Sequence, residues 1–162
     1  MERASRKANR GKPYRVGRAR SGLGLFATAA IAKGAFIVEY AGRRISHSTA
    51  ERLEARGARY IFEIDDRWSI DGSSRSNVGR YANHSCQPSA ESDLVRGKII
   101  LRAIKPIKPG DEITYDYGEE YFELFIRPAG CKCVKCANEP RKPRRTRRHL
   151  AALSGAARSG RA

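Results

Sequence analysis

Gly79-Arg80-Tyr81-Ala82-Asn83-His84-Ser85-Cys86 and, further along, Gly110-Asp111-Glu112-Ile113-Thr114-Tyr115-Asp116-Tyr117 are the two runs that decide how this chain is read. The first places an amide, an imidazole, a hydroxyl and a thiol at consecutive positions. The second follows a turn signal at Pro106 and Pro109-Gly110 and reads as a strand over 112–117. Around them lie 162 residues, enough for one domain of ordinary size. The net charge of +16 is concentrated at the ends: residues 1–20 hold eight Lys/Arg and one acid, and residues 141–162 hold eight and none. Between them, residues 21–140 carry 17 basic and 16 acidic side chains. A nearly neutral domain between two basic arms, 1–12 and 141–162, is therefore expected. Such arms are solvated and disordered, and they attract nucleic acid or an acidic protein face. A plain Arg-rich tail with no specific partner fits them equally. No window approaches the eighteen or so apolar residues of a membrane span, and no apolar signal core follows the basic N-terminus. The expected setting is cytoplasmic, or nuclear and chromosome-associated in a eukaryote, and the expected state is a monomer.

The organisation is that of a mainly β domain. Tyr14-Arg15-Val16, Leu25-Phe26-Ala27, Phe36-Ile37-Val38-Glu39-Tyr40, Tyr60-Ile61-Phe62-Glu63-Ile64 and Trp68-Ser69-Ile70 read as short strands. Leu94-Val95 and Ile99-Ile100-Leu101 flank Arg96-Gly97 as a hairpin. Ser48 and Glu51 have capping-box spacing, which predicts a short helix over 49–56 stopped by Gly57.

Several groups can carry chemistry. Ser21-Gly22-Leu23-Gly24 lets backbone approach a ligand closely, because glycine has no Cβ, although a plain turn has the same pattern. It lacks the third glycine and long helix of a dinucleotide fingerprint. Cys131-Lys132-Cys133-Val134-Lys135-Cys136 crowds three thiols into six residues, a set suited to zinc, which takes four ligands in a structural site. The fourth ligand is either Cys86, the one remaining cysteine, or His149 in the basic tail. Glu112 and Asp116 could share a strand face as a carboxylate pair, but Asp116 is already accounted for by the Tyr-Asp-Tyr run.

Taken in order, the Asn-His-Ser-Cys and Gly-Asp-Glu-x-x-Tyr-Asp-Tyr runs resemble the two signature segments of the SET-domain protein-lysine methyltransferases. Gly22-Leu23-Gly24-Leu25-Phe26-Ala27 and the following Ile31, Lys33, Gly34, Phe36, Ile37, Glu39, Tyr40 and Gly42 are similar to the opening of such a domain. The resemblance covers about residues 14–136. It implies a SET (β-clip-like) fold of small, mostly antiparallel sheets at 13–118, with a C-terminal segment threaded beside the first signature. A zinc-binding post-SET segment would follow at 119–140, with 43–76 as the variable insert. It implies S-adenosylmethionine held by Gly22, Leu23, Gly24, Leu25, Tyr60, Arg80, Asn83, His84 and Tyr117. It further implies a lysine channel lined by Tyr40, Tyr115 and the catalytic Tyr117, and a structural zinc on Cys86, Cys131, Cys133 and Cys136. The Cys-x-Cys-x2-Cys spacing is shorter than the usual Cys-x-Cys-x4-Cys of that segment. The activity implied is methyl transfer to a lysine amine of a histone or other basic protein. The alternative is an inactive SET-like module that uses its groove and basic arms only to bind.

Such chemistry needs a neutral amine, whereas free lysine titrates near pH 10.4. An apolar aromatic channel beside a positive sulfonium lowers that value, and the remaining task is positioning.

Overall fold

The computed structural model describes residues 11–138, and the basic tail with His149 and all but Gly11 and Lys12 of the N-terminal arm lie outside them. Three small sheets carry the fold. In the first, β1 (Tyr14–Ala19), β2 (Gly22–Ala27), β10 (Glu112–Tyr115) and β7 (Asn83–His84) lie in the order β1-β2-β10-β7. In the second, β3 (Phe36–Tyr40), β9 (Lys98–Ala103) and β8 (Ala90–Val95) lie in the order β3-β9-β8. The third, β4 (Arg43–Ser46), β6 (Trp68–Asp71) and β5 (Ile61–Asp65), is built wholly from the insert, in the order β4-β6-β5.

The central strand of the second sheet, β9, carries the unbroken apolar run Ile99-Ile100-Leu101, all buried. Such a run has no solvent face to fill with polar residues. Its hairpin to β8 turns at Arg96-Gly97, where both residues take positive φ (51° and 75°). That is the turn whose twist matches antiparallel strands. The main core gathers Leu25, Ile37, Leu101, Ile113 and Tyr115 from the first two sheets. A second, smaller cluster of Tyr40, Ile70 and Ile99 joins the insert to the body.

Almost all pairing is antiparallel, with one departure that matters. β7 runs parallel to β10, with Thr114 opposite Asn83 and Tyr115 opposite His84. The two signature runs are thereby zipped side by side, and β10 is enclosed between β2 and β7 with Ile113 fully buried. The strand ends at Tyr115 rather than at Tyr117. Beyond it the Tyr117 N–H goes to the His84 ring and the Gly118 N–H to the Asp116 carboxylate, so the ladder has no partners left.

The insert differs from its sequence reading at two points. Helix α1 spans His47–Ala55 and starts directly from β4, with no side-chain cap on Ser46. The His47 N–H bonds to Arg67 O instead, and Glu51 pairs with His47 at 3.4 Å. A tertiary strand partner thus replaces the local cap. The stop at Gly57 is as expected, with φ 91° and its N–H on Glu54 O. Tyr60 stands just outside β5, because its carbonyl accepts from the Tyr40 hydroxyl and from the Gly72 N–H. Asn77, 1% exposed, pins the insert to the body: it accepts from Ala41 N–H and donates to Gly72 O, both at 3.0 Å. After β10 come a short helical turn α2 (Glu119–Tyr121), a π-helical turn Phe122–Ile126, and α3 (Val134–Asn138).

Candidate active site

The parallel β7–β10 pair sets the polar centre. Asn83 Nδ2 donates to Leu23 O (3.0 Å) and to Glu112 Oε1 (2.7 Å). A Cβ on Gly24 would lie 2.7 Å from that same Oε1 and 2.8 Å from Ala19 Cβ, so position 24 has room for no side chain. Next to Asn83, the His84 ring has a side-chain exposure of 6%. Its Nδ1 accepts the Tyr117 backbone N–H at 3.2 Å, which leaves the proton of the neutral ring on Nε2. Nε2 lies 3.3 Å from Cys86 Sγ, a soft acceptor. Burial holds the His84 pKa below its ordinary value, with Asp116 at 3.6 Å opposing. One imidazole therefore joins the second signature run to the cysteines.

Tyr117 donates its hydroxyl to Ala82 O at 2.8 Å. From it an aromatic row extends both ways. Tyr115 (4.7 Å between ring centroids) and then Phe62 and Tyr40 lie on one arm; Tyr121 (5.1 Å) and Phe125 lie on the other. Burial raises the hydroxyl pKa of Tyr40, Tyr115, Tyr117 and Tyr121, each reinforced by neighbouring tyrosines and, at Tyr40 and Tyr121, opposed by Arg80 and Arg59 respectively. The row is therefore a neutral, weakly polar wall.

Two clefts meet this row, of about 640 and 590 Å³, and share Ser21, Arg59, Asn83, Tyr117 and Tyr121. The first adds Leu23, Tyr60 and Arg80; the second adds His84, Cys131, Lys132 and Cys133. Arg80 stacks its guanidinium over the Tyr60 ring at 3.8 Å and donates Nη1 to Ser73 O. Its Nε is buried with no partner among the described residues. Of the expected site residues, Gly22, Gly24 and Leu25 line neither cleft. Gly22 takes φ 117° at the start of β2, and Leu25 is wholly buried in the core. Tyr40 and Tyr115 belong to the aromatic row rather than to the cleft walls.

Cys86, Cys131, Cys133 and Cys136 come together with all four sulfurs within 4.8 Å of one another. Cys86 lies 3.9 Å from Cys131 and 3.6 Å from Cys136. Four sulfurs at the ~2.3 Å bond length of tetrahedral zinc stand about 3.8 Å apart, so the set fits that ion. Burial opposes ionisation of Cys133, but backbone N–H groups of Cys136 and Cys86 and the neighbouring thiols outweigh it and hold its pKa down to about 6. Burial and the neighbouring thiols push Cys86 up.

Sequence reading missed Phe62, Tyr121, Phe122 and Phe125 as site aromatics, although Tyr121-Phe122 and Phe125 recur at helical spacing directly after the Tyr-Asp-Tyr run. It considered Glu112 as a catalytic acid and not as the partner of Asn83.

A family model described as the SET domain matches residues 22–118. The trithorax histone-lysine N-methyltransferase of Drosophila virilis is 36% identical over 124 residues, which are 71% of this chain and 3% of that protein. A histone-lysine N-methyltransferase of Candida albicans, specific for H3 lysine-4, is 34% identical over 126 residues, covering 67% of the chain and 12% of that protein. The chain thus spans a small part of the curated relatives it matches. Among solved structures, a Chaetomium thermophilum polycomb repressive complex 2 chain superposes with a TM-score of 0.63 at 29% identity, covering 70% of this chain and 16% of that one. Another from the same complex, bound to S-adenosylmethionine in an autoinhibited conformation, gives a TM-score of 0.59 at 30% identity, covering 66% and 15%.

The buried hydroxyls lead to a measurable pH dependence. Tyrosine titrates near pH 10 in an unfolded chain. Absorbance at 295 nm should show four of the seven tyrosines resisting ionisation at pH 10–11 in the native protein and titrating normally in urea. Because the unfolded chain then releases protons that the folded chain keeps, folding stability should fall as pH rises above about 10.

Proposed function

This chain belongs to the SET-domain family, and from that premise we propose that it transfers a methyl group from S-adenosylmethionine to a lysine side chain of a protein substrate. The observation that carries the reading is the Tyr117 hydroxyl, fixed on Ala82 O where the clefts meet the aromatic row. The clefts suit the methyl donor by chemistry. Arg80 keeps an unpaired buried N–H for a carboxylate, and both N–H of Asn83 are committed, which leaves its carbonyl oxygen for an ammonium group. When bound, S-adenosylmethionine supplies an electrophilic methyl group on a sulfonium sulfur. Arg80, Tyr60, Asn83, His84 and the chain at Ser21 and Leu23 would hold it.

The aromatic row addresses the other half of the problem. From Tyr117, which lines both clefts, the row through Tyr115, Phe62 and Tyr40 would receive a lysine among rings and hydroxyls kept neutral by burial. A weakly polar wall of this kind disfavours the ammonium form and so favours the amine with its lone pair free. The Tyr117 hydroxyl, with its hydrogen committed to Ala82 O, presents lone pairs that orient the amine. Tyr115, its ring 4.7 Å away, limits the space around the nitrogen. An inert binding module would leave this arrangement without a use.

Cys86, Cys131, Cys133 and Cys136 would hold a structural zinc, closing the 119–138 segment onto the site. The substrate is read as a protein with an exposed lysine. The relatives' names favour a histone and, in a eukaryote, a chromatin setting, and they lend no support to a cytoplasmic one. The solved neighbours are chains of multiprotein complexes, which lends no support to a monomer.

Labelled S-adenosylmethionine with purified histones and cell extract, read by mass spectrometry, tests the activity directly. Tyr117→Phe should lower turnover by about 10²-fold or more, the loss typical of one positioned transition-state group, with the fold and cofactor affinity nearly unchanged. In the same assay the wild type should give mainly mono- and dimethyl-lysine, and Tyr115→Phe should shift product to higher states. A barrier difference of about 1.4 kcal/mol suffices for tenfold in rate. Dominant trimethylation by the wild type would refute the role of Tyr115.

Metal analysis should find about one zinc per chain if the cluster is a single tetrahedral site. Cys86→Ser and Cys131→Ser should each reduce that occupancy while His149→Ala leaves it unchanged. Full zinc in Cys86→Ser with loss in His149→Ala would replace Cys86 by His149 in the ligand set.

A further inference from the structure

Asn83 and Glu112 form a pair whose donor and acceptor chemistry admits one arrangement. The Leu23 carbonyl can only accept a hydrogen bond, so the Asn83 side-chain atom 3.0 Å from it is the nitrogen and not the oxygen. The second N–H of that nitrogen meets Glu112 Oε1 at 2.7 Å. With both donors used, Oδ1 is left without a partner among the described residues, on a side chain that lines both clefts. Leu23 O alone does not hold this geometry, because one hydrogen bond leaves the amide free to swing about its side-chain bonds. The carboxylate supplies the second fixed point. Gly24 shows that the room for it is built in: a Cβ there would sit 2.7 Å from Glu112 Oε1 and 3.1 Å from Asn83 Nδ2.

We propose that Glu112 is a positioning residue for cofactor recognition, which locks the Asn83 amide so that its carbonyl oxygen faces the cleft as the acceptor for a ligand's α-ammonium group. The assignment rests on the methyl-donor reading above. Glu112 is placed for this by β10: its neighbour Ile113 is fully buried in the core, so the carboxylate points to the other face of the strand, over β2. Its role is thus distinct from the acid catalysis that a carboxylate beside a cleft first suggests.

The test uses the full chain and two probes, S-adenosylhomocysteine and its analogue lacking the α-amino group, by calorimetry. Wild type should bind the first about tenfold or more tightly over the second, the scale of one hydrogen bond to a charged group. In Glu112→Ala that preference should fall to about twofold or less, with the affinity for the amino-less analogue little changed. Glu112→Gln, which keeps an acceptor oxygen, should retain most of the preference. On an Asn83→Ala background the Glu112 substitutions should have no further effect on it. An unchanged preference in Glu112→Ala overturns the proposal, and so does equal weakening of both probes, the mark of a merely structural role. A Glu112→Gln variant as impaired as Glu112→Ala also overturns it, since charge and not amide orientation would then be responsible. Should Glu112→Ala fail to fold, the Asn83 side-chain amide protons in wild-type NMR spectra decide: slow exchange with solvent supports the lock, and rapid exchange refutes it. Failure of wild type to bind either probe refutes the methyl-donor reading, and the same amide protons still test the lock by itself.

Discussion

Two register pairs, Thr114 with Asn83 and Tyr115 with His84, hold the site together. They are the sole parallel contact among the described strands, and parallel pairing is the kind that a hairpin cannot supply. The chain must leave β7, build β8 and β9, and return before β10 can add beside it. Once it does, alternation along β10 sets which of its side chains reach the site. Ile113 and Tyr115 point into the core, while Glu112 and Thr114 alternate with them. Across the seam Asn83 meets Glu112, and His84 takes the Tyr117 N–H. Loss of that register by one residue would turn Tyr115 outward and Glu112 inward, destroying core and site together. Fold and site therefore depend on the same two pairings.

The aromatic row has its own logic. Burial raises the tyrosine pKa values, which keeps the hydroxyls neutral, and the same desolvation disfavours an ammonium ion that enters among them. A carboxylate in the row would do the reverse, stabilising the charged lysine. The acids near the site are kept out of it: Glu112 is committed to Asn83, and Asp116 is exposed and turned to the Gly118 N–H. Under the proposed reading an amine would meet neutral oxygens with the carboxylates held outside, and the run 110–117 supplies both Tyr115 and Tyr117 of the row and the two acids kept out of it.

Much of this was legible from sequence because it is carried by short runs with their own local pattern. The Arg96-Gly97 hairpin, the Gly57 stop and the buried β9 strand are each specified by consecutive residues. The cysteine cluster was legible in its three-thiol run, and Cys86 joins it because β7 delivers that residue to the same place. What stayed hidden depends on partners far along the chain. Ser48 and Glu51 have the spacing of a cap, but Arg67 O takes the helix N–H and the cap is not used. Tyr60 has strand neighbours, but its carbonyl is claimed by Tyr40 and Gly72. Tyr121 belongs to the helical turn α2, and nothing in that segment alone says that its ring stands against Tyr117. Spacing in one segment does not encode such competition.

His84 shows how far one side chain can join distant parts of the fold. Its Nδ1 must be an acceptor, since a backbone N–H points at it; its Nε2 must then be the donor, and that donor faces the Cys86 sulfur. A thiolate accepts such a hydrogen bond better than a thiol does, so a metal held by the four cysteines would strengthen the contact. The other tautomer would put two donors nose to nose at Tyr117 and leave Nε2 without a proton for the sulfur. The ring is also wedged between Tyr117 and Phe122, which removes the freedom to rotate away from either partner. Order in the cysteine cluster and order at the Tyr117 backbone are for this reason one property, set by a single imidazole for which burial disfavours a second proton while Asp116 opposes that effect.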